Sequence, residues 1–259
     1  MNLELQGKVA IVGGASQGIG YGIARMLARE GATVAMTARR EADLQAAAGR
    51  LRSETGATVL PIQADGRKAE DCARVARVAK AELGGIDILV NNDGAPPLGP
   101  ALSFDDAAWQ KAVDQNLLYV VRMVREVVPA MQERGGGSIL NITAISAIQP
   151  IAGFGLSVAT WSGVIGYAKT LSLEVARLGI NVNTICPGYI DTTRLQKVFA
   201  SGGEPAEVVR ERLEQEIPLR RIGSVDDIAH LVALLVSPKG SYITGTAIQV
   251  DGGLLRSVR

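Results

Sequence analysis

Short apolar runs alternate with longer helical segments along nearly the whole chain. The apolar runs are residues 9–12, 32–38, 58–62, 86–91, 138–143, 181–186 and 247–250. Between them, apolar side chains repeat at the spacing of an amphipathic helix. These segments are residues 19–27, 41–54, 67–83, 104–134, 156–178 and 225–236. Nearly continuous apolar strands are typical of parallel sheets buried on both faces. The pattern predicts an α/β fold of Rossmann type, with a doubly wound, seven-stranded parallel sheet and helices on both faces.

Length and composition favour one domain. No linker or internal repeat divides residues 1–259, and 47% of the residues are hydrophobic. The formal net charge of +1 offers no general attraction to nucleic acid or an anionic membrane. No apolar run approaches the length of a membrane span, and residues 1–8 lack the pattern of a signal peptide. We therefore expect a cytoplasmic protein whose partner is a small molecule.

The cysteines and the single histidine point to no metal site. Cys72 falls in a predicted helix and Cys186 in a predicted buried strand, which favours two core thiols in a reducing compartment. His230 lies in an amphipathic segment, where a surface position on a helix is the ordinary interpretation. The sequence therefore predicts no bound metal.

A glycine-rich turn follows the first predicted strand. Gly14, Gly18 and Gly20 lie between that strand and the first helix. Glycines there allow a tight turn, leave room for a phosphate, and let the helix approach the strand. The free N–H groups at the helix start would then face an anion. The alternative is a cluster of glycines that serves packing alone.

Arg39 and Arg40 follow the second predicted strand. A dinucleotide fold that prefers NAD has an acidic residue near this point, against the ribose 2′-hydroxyl, and Ala38 occupies that position. A guanidinium suits a 2′-phosphate, so the sequence favours NADP over NAD. The alternative is that both arginines are solvated residues at the start of a helix.

Two further strand ends carry polar side chains. Asp65 and Gly66 follow the third strand, where the carboxylate is able to accept from an adenine amino group. Asn91 to Gly94 end the fourth strand, where amides hold strand ends and glycine admits a cofactor. Ordinary turn chemistry explains both stretches equally well.

Together these stretches resemble the short-chain dehydrogenase/reductase family over essentially the whole chain. The matching stretches are residues 14–20, 85–94, 187–192 and 245–253, with Asp65 and Asn116. The resemblance implies that Ile190 and Thr192 hold the nicotinamide carboxamide, and that residues 193–217 form a mobile substrate loop. The predicted cofactor-binding residues are Gly14, Ser16, Gln17, Gly18, Ile19, Gly20, Arg39, Arg40, Asp65, Gly66, Asn91, Gly94, Pro187, Gly188, Ile190 and Thr192.

The chain departs from the family where the chemistry takes place. The family uses a serine, a Tyr-x-x-x-Lys pair and an asparagine; the first three positions fall on Ala144, Ser157 and Trp161, and Asn116 is retained. Thr143 or Ser146 lies close enough to supply a hydroxyl instead. Tyr189 is placed to donate a proton, although an aromatic residue there is more often a pocket wall.

Two departures flank the cofactor site. Gly13 stands where the family has threonine, and Asp93 stands where it has alanine. A carboxylate at Asp93 would repel phosphate or alter the charge that a substrate meets. Asp93 and Ser157 are also the candidates for a non-redox reaction, with Trp161 as a stacking wall.

Three functions fit these residues. The first is an NADP-dependent oxidoreductase with a non-standard site, acting on an imine, an enone or an activated carbonyl. The second is a non-redox isomerase, lyase or cyclase, and the third is an inactive binding or scaffold member. Apolar Leu195, Val198 and Phe199 suggest a hydrophobic substrate, or else pack the lid. By resemblance, residues 104–134 and 156–178 would form a homo-oligomer, a dimer or a tetramer.

Overall fold

The computed structural model describes residues 2–201 and 204–257, apart from the side chains of Lys197, Val198, Ala200 and Ser201. These residues contain one seven-stranded sheet. The strands are β1 Val9–Val12, β2 Thr33–Ala38, β3 Val59–Gln63, β4 Ile88–Asn91, β5 Gly137–Ile142, β6 Ile180–Pro187 and β7 Ala247–Val250. They lie in the order β3-β2-β1-β4-β5-β6-β7, and all the paired strands are parallel. The predicted fold class is confirmed.

Helices cover both faces of this sheet. They are α1 Gly18–Arg29, α2 Glu41–Thr55, α3 Ala69–Leu83, α4 Asp106–Ala112, α5 Tyr119–Glu133, α6 Gly155–Val175, α7 Thr193–Ser201, α8 Ala206–Glu216 and α9 Val225–Leu235. Helix α9 shows why one of them starts where it does. The Ser224 hydroxyl accepts from the Asp227 N–H, and the Asp227 carboxylate accepts from the Ser224 N–H, which forms a capping box.

Apolar side chains divide into a core on each face. On one face, Leu27 of α1, Leu44 of α2 and Ile228 of α9 pack against the sheet. On the other face, Val75 of α3 and Val127 of α5 do so. Each face buries a continuous apolar layer, which accounts for the nearly unbroken apolar character of the strands. The Cys72 and Cys186 thiols are buried and free, and His230 is exposed.

The long helix predicted over residues 104–134 is divided. Helix α4 ends at Ala112, a π-helical turn spans Val113–Leu118, and α5 continues from Tyr119. A π turn adds one residue to the helix without breaking the apolar pattern, so periodicity alone does not reveal it. Such turns are frequent at functional sites, and this one contains Asn116.

The segment predicted as a substrate loop, residues 193–217, is largely helical. It contains α7 and α8, and its role as a substrate loop stays a prediction. Leu195 and Phe199 are buried in a small cluster with Ile217 and Ile222, so they pack the segment onto itself. The side chain of Val198 lies outside the described part of the chain, and the mobility of the segment stays a prediction.

Tyr119 lies in space that two glycines leave open. A Cβ placed on Gly13 would overlap the Tyr119 hydroxyl, and one on Gly66 would overlap the Tyr119 ring. Tyr119 is 7% exposed, and burial raises the pKa of its phenol well above the usual value. The end of β1, the turn after β3 and the start of α5 are therefore packed together around one aromatic ring.

This packing predicts that Gly13→Ala destabilises the protein by about 1–3 kcal/mol, the usual cost of overpacking a filled site. Its Cβ would overlap the Tyr119 hydroxyl and lie 2.6 Å from the Asn92 carbonyl oxygen. Tyr119→Phe removes the first overlap, so the cost should be smaller in that background. Urea unfolding of both single variants and the double variant measures the difference.

Gly49→Ala is the matched control. Nothing lies within 4 Å of a Cβ at Gly49, which is inside α2, so the change should stabilise the protein by up to about 1 kcal/mol. An equal cost of Gly13→Ala with and without the Tyr119 hydroxyl would contradict the packing described here.

Candidate functional site

A cavity of about 580 Å³ opens at the carboxyl ends of β1 to β4. This is the edge of a doubly wound sheet at which ligands bind. The described residues that line it are Gly14, Ser16, Gln17, Gly18, Ile19, Thr37, Ala38, Arg39, Arg40, Ala64, Gly66, Cys72, Val75, Asn92, Asp93, Gly94, Tyr119, Met123, Thr192, Thr193 and Arg194. We call it the cofactor cavity.

The start of α1 makes one wall of the cofactor cavity. Gly14 has φ +55° and Gly18 has φ +59°, and both values favour glycine. A Cβ on Gly14 would lie 2.8 Å from the Asn92 carbonyl oxygen, so no larger residue fits that turn. The first turn of α1 holds no acidic residue, and its leading N–H groups have no partner within the helix. The turn therefore fits a phosphate group.

The two arginines after β2 differ in their partners. The Arg40 Nε lies 2.5 Å from the Asp43 carboxylate, and its side chain is 75% exposed. For Arg39, the described residues contain no acidic partner within ion-pair distance. One of its terminal nitrogens lies 3.8 Å from the position that a Cβ on Gly94 would take. Arg39 is thus the better placed of the two for a phosphate.

Asp65 is held by its own turn. Its carboxylate accepts from the Arg67 side chain at 2.9 Å and 2.5 Å and from the Arg67 N–H at 3.1 Å. The hydrogen bonds from the Arg67 side chain hold the pKa of Asp65 below its usual value. This geometry matches the turn interpretation, and Gly66, not Asp65, lines the cofactor cavity. A contact of Asp65 with adenine stays a prediction.

Asn91 and Asn92 hold the strand ends together. The register pairs Asn91 of β4 with Asn141 of β5, and the Asn91 amide donates to the Asn141 side chain at 2.9 Å. The Asn92 amide donates to the Gly13 carbonyl at 3.0 Å. These bonds fix the end of β4 against β1 and β5, where Gly94 lines the cofactor cavity.

A second cavity of about 200 Å³ adjoins the first. We call it the apolar cavity, because most of its lining is apolar. The residues are Ile19, Asn92, Asp93, Ala95, Leu98, Ile142, Thr143, Ala144, Ile145, Ser146, Ile151, Phe154, Trp161, Pro187, Gly188, Tyr189, Ile190, Thr192, Arg194 and Leu195. The two cavities share five lining residues, so ligands bound in them would be adjacent. The shared residues are Ile19, Asn92, Asp93, Thr192 and Arg194.

The three catalytic positions differ in their access to the apolar cavity. Ala144 and Trp161 line it, whereas Ser157 does not. Ser157 is 1% exposed, and its buried hydroxyl has no hydrogen-bond partner among the described residues. The Thr143 hydroxyl donates to the Ile185 carbonyl at 3.2 Å, which turns it toward β6. The Thr143 hydroxyl is thus bonded to β6, and Ser157 is not among the residues that line the apolar cavity.

Asn116 and Tyr189 line different parts of the site. The Asn116 amide donates to the Thr160 hydroxyl at 2.8 Å, which ties the π turn to α6. Tyr189 lines the apolar cavity, and burial, assisted by the charge of Glu216, raises the pKa of its phenol. A phenol with a raised pKa is a poorer proton donor at neutral pH, which favours the role of a wall.

Two charged side chains flank the boundary of the cavities. One Asp93 oxygen accepts from the Gly94 N–H at 2.6 Å, and burial raises the pKa of its carboxyl. Arg194 donates to the carbonyl oxygens of Ala95 and Pro96 at 3.4 Å and 3.3 Å. Sequence reasoning marked Asp93 as a departure but overlooked Arg194. The signal for Arg194 was a cation directly after the predicted nicotinamide contacts.

Metal binding and membrane crossing each require a particular arrangement of residues. They contain no group of three or more His, Cys, Asp or Glu side chains arranged around a common metal position. In the part of the chain that the structure describes, no helix combines the length and the apolar character that crossing a membrane requires.

Known proteins resemble this chain in sequence and in fold. Residues 14–255 match the family model described as enoyl-(acyl carrier protein) reductase. Human dehydrogenase/reductase SDR family member 4 is 36% identical over 250 residues, which cover 96% of this chain and 88% of that protein. The match covers nearly all of this chain and most of the human protein, so the resemblance is not confined to the glycine-rich turn.

Solved structures extend the comparison to ligands. L-sorbose reductase from Gluconobacter frateurii, complexed with NADPH and L-sorbose, has a TM-score of 0.96 and 33% identity, with 100% of both chains covered. A variant of actinorhodin polyketide ketoreductase with NADPH has a TM-score of 0.92 and 33% identity, with 96% of this chain and 98% of that chain covered. The preference for NADP that Arg39 predicts agrees with these complexes.

Arg39→Ala should weaken NADPH binding by about tenfold or more and leave NADH binding nearly unchanged, because a charge-assisted bond to the 2′-phosphate is lost. Arg40→Ala is the matched control, since Arg40 is paired with Asp43. Calorimetric titration of both cofactors measures the effect. An equal loss for NADPH and NADH would contradict the assignment.

Proposed function

Because this chain belongs to the short-chain dehydrogenase/reductase family, we propose that it is an NADP-dependent oxidoreductase with a non-standard active site. Its substrate is small and largely apolar: an imine, an enone or an activated carbonyl. The apolar cavity carries this proposal, because it adjoins the cofactor cavity and shares Ile19, Asn92 and Thr192 with it. At about 200 Å³, it is smaller than the roughly 300–1,000 Å³ of sites for drug-sized ligands.

The cofactor cavity fits NADP in charge and shape. The turn at Gly14 and Gly18 and the start of α1 would hold the diphosphate, and Arg39 would hold the 2′-phosphate. Ile190 and Thr192 would contact the carboxamide, as both line the cavity next to it. When bound, the nicotinamide supplies a hydride. The protein binds and orients both reactants and keeps water from the apolar side.

The missing acid limits the chemistry. Ala144 and Trp161 carry no ionisable group, and the Ser157 hydroxyl does not reach the apolar cavity. Loss of a positioned general acid costs roughly 10²–10⁴-fold in rate. An ordinary ketone needs that acid, because its reduction leaves an alkoxide. An imine that is protonated before it reacts becomes a neutral amine, and an enone becomes an enolate, so either substrate depends on that acid much less.

A substrate panel tests this preference. Purified protein should oxidise NADPH with cyclic imines or conjugated enones faster than with matched simple ketones, because only the ketones require protonation of an alkoxide. Absorbance at the NADPH band measures the rates. Rapid reduction of simple ketones by the unmodified protein would contradict the argument from acid catalysis.

Restoring the family residues tests the same argument from the other direction. The triple variant Ala144→Ser, Ser157→Tyr, Trp161→Lys should raise ketone reduction by about 10²-fold or more, since it returns a proton donor and its lysine. The control is Ala144→Ser, Ser157→Phe, Trp161→Met, which has similar bulk but no ionisable group at positions 157 and 161. No difference between the two variants, both folded and both binding NADPH, would contradict the alignment of these positions.

A non-catalytic member of the family is the second candidate. The loss of the pair on α6 favours it, because NADPH binding without turnover needs none of those side chains. In this candidate, as in the first, we propose assembly as a homo-oligomer, a dimer or a tetramer. Leu173 of α6 is 72% exposed, as an outward-facing apolar contact would require. The two buried free thiols suit a reducing compartment, and we propose a cytoplasmic location.

A non-redox reaction remains a further alternative within the same site. The observation that favours it is that Asp93, an ionisable residue, lines the apolar cavity. Turnover of a substrate without any change in NADPH absorbance would favour this alternative. Binding of NADPH with no conversion of any kind would favour the non-catalytic member, and light scattering would then give its oligomeric state.

A further inference from the structure

A carboxylate and an indole are both among the side chains that line the apolar cavity. Asp93 is the acidic side chain that lines the cavity, in the part of the chain that the structure describes, and Trp161 lines it too. Both residues also border a recess of about 10 Å³ with Asn116 and Thr143. Asp93 and Trp161 therefore both line the same two spaces.

The Asp93 carboxylate has no cation beside it. One of its oxygens accepts from the Gly94 N–H, and the described residues contain no lysine or arginine nitrogen within ion-pair distance of the other. Arg39 and Arg67 act on it only through space. A carboxylate in apolar surroundings is costly unless it is paired. Asp93 therefore offers, at the wall of the cavity, a carboxylate without an ion-pair partner among the described residues.

The walls of the apolar cavity suit a cation as well. Trp161, Phe154 and Tyr189 contribute aromatic side chains to the lining. Aromatic faces attract cations through their quadrupole, and tryptophan does so most strongly. An aromatic lining with one carboxylate is therefore complementary to an organic cation that has an apolar body.

Arg194 is the charge that opposes such a ligand. Like Asp93, it lines both cavities, and in the cofactor cavity the diphosphate of a bound cofactor would pair with it. Its guanidinium is held by the carbonyl oxygens of Ala95 and Pro96. These contacts give the arginine partners of its own, whereas Asp93 lacks a cationic one.

From this arrangement we infer that the apolar cavity binds organic cations, and that the substrates of the proposed reaction are apolar iminium ions with amines as products. The binding of organic cations does not depend on the proposed oxidoreductase activity. The identity of the substrates and products does rest on it. An iminium carbon that accepts a hydride converts the C=N π electrons into a lone pair on nitrogen. The product is a neutral amine, so no proton from the protein is required. This chemistry matches a site without an acid on α6.

Direct binding tests the cation site without any cofactor. The probes are 1-methyl-1,2,3,4-tetrahydroisoquinoline, which is a cation at neutral pH, and its neutral carbon analogue 1-methyl-1,2,3,4-tetrahydronaphthalene. Calorimetric titration of the whole protein should give the amine at least about tenfold higher affinity, as a buried charge pair and a cation–π contact require. Equal affinity for the two probes would overturn the inference.

Variants locate the charge that is responsible. Asp93→Asn should remove the preference for the amine, whereas Asp106→Asn, which removes an exposed carboxylate on α4, should keep it. Trp161→Leu should weaken amine binding more than Trp161→Phe does, because phenylalanine retains an aromatic face. Thermal melting confirms that each variant is folded. An Asp93→Asn protein that is folded and still prefers the amine would overturn the inference.

The affinity for the amine should also fall as the pH decreases. Burial raises the pKa of Asp93, with Arg39 and Arg67 opposing the shift and Asp65 adding to it, and protonation removes the charge that the cation needs. The loss should begin at a higher pH than for an exposed aspartate, and Asp93→Asn should abolish it. An amine affinity that is constant through the acidic range would contradict the role of Asp93.

The two proposals fail in different ways. If Asp93→Asn weakens NADPH binding and leaves the amine preference intact, Asp93 serves the cofactor and the cation site is refuted. If the protein prefers the amine but binds no NADPH, the cation site is supported and the oxidoreductase is refuted. NADPH oxidation with 1-methyl-3,4-dihydroisoquinoline at neutral pH supports both proposals if its rate is lower in Asp93→Asn and unchanged in Asp106→Asn.

Discussion

The turn from β1 into α1 determines what this edge of the sheet can bind. Gly14 and Gly18 adopt positive φ, which lets α1 start directly over the strand end with its leading N–H groups unpaired. The Asn92 amide fixes this turn to the end of β4. Tyr119 packs beneath it, in the space that Gly13 leaves. A site for a phosphate is therefore built from backbone and packing, and needs no catalytic side chain.

This independence is compatible with the proposal that the chain keeps the family's frame without its usual acid–base groups. Ala144 follows β5 and Trp161 lies on α6, and both elements keep their places in the sheet and the helical layer. Changes at these positions alter the lining of the apolar cavity, not the register of β4, β5 and β6. The cofactor cavity and the acid–base groups are separable parts of one site. The lining of the apolar cavity also holds the Asp93 carboxylate and the aromatic side chains of Phe154 and Tyr189.

The sequence predicted the frame well because strand burial and helical periodicity are local patterns. It also located the turn at Gly14 and the two arginines after β2, but the pairing of Arg40 with Asp43 came only from the structure. It missed what depends on long-range contacts: the π turn at Asn116, the Tyr119 ring between two glycines, and the approach of Arg194 to both cavities. The sequence left open whether the Asp65 carboxylate accepts from adenine or from its own turn. That choice depends on where the Arg67 side chain lies.

The central claim is that the chain holds NADP beside an apolar cavity that contains no proton donor from α6. A crystal structure of the NADPH complex tests it most directly, through the polar atoms nearest to the nicotinamide C4 atom. The account predicts NADPH in the cofactor cavity, with Arg39 on the 2′-phosphate and Asp93 and Trp161 at the apolar side. A Ser157 hydroxyl directed at the nicotinamide, within hydrogen-bond reach of a substrate oxygen, would contradict it.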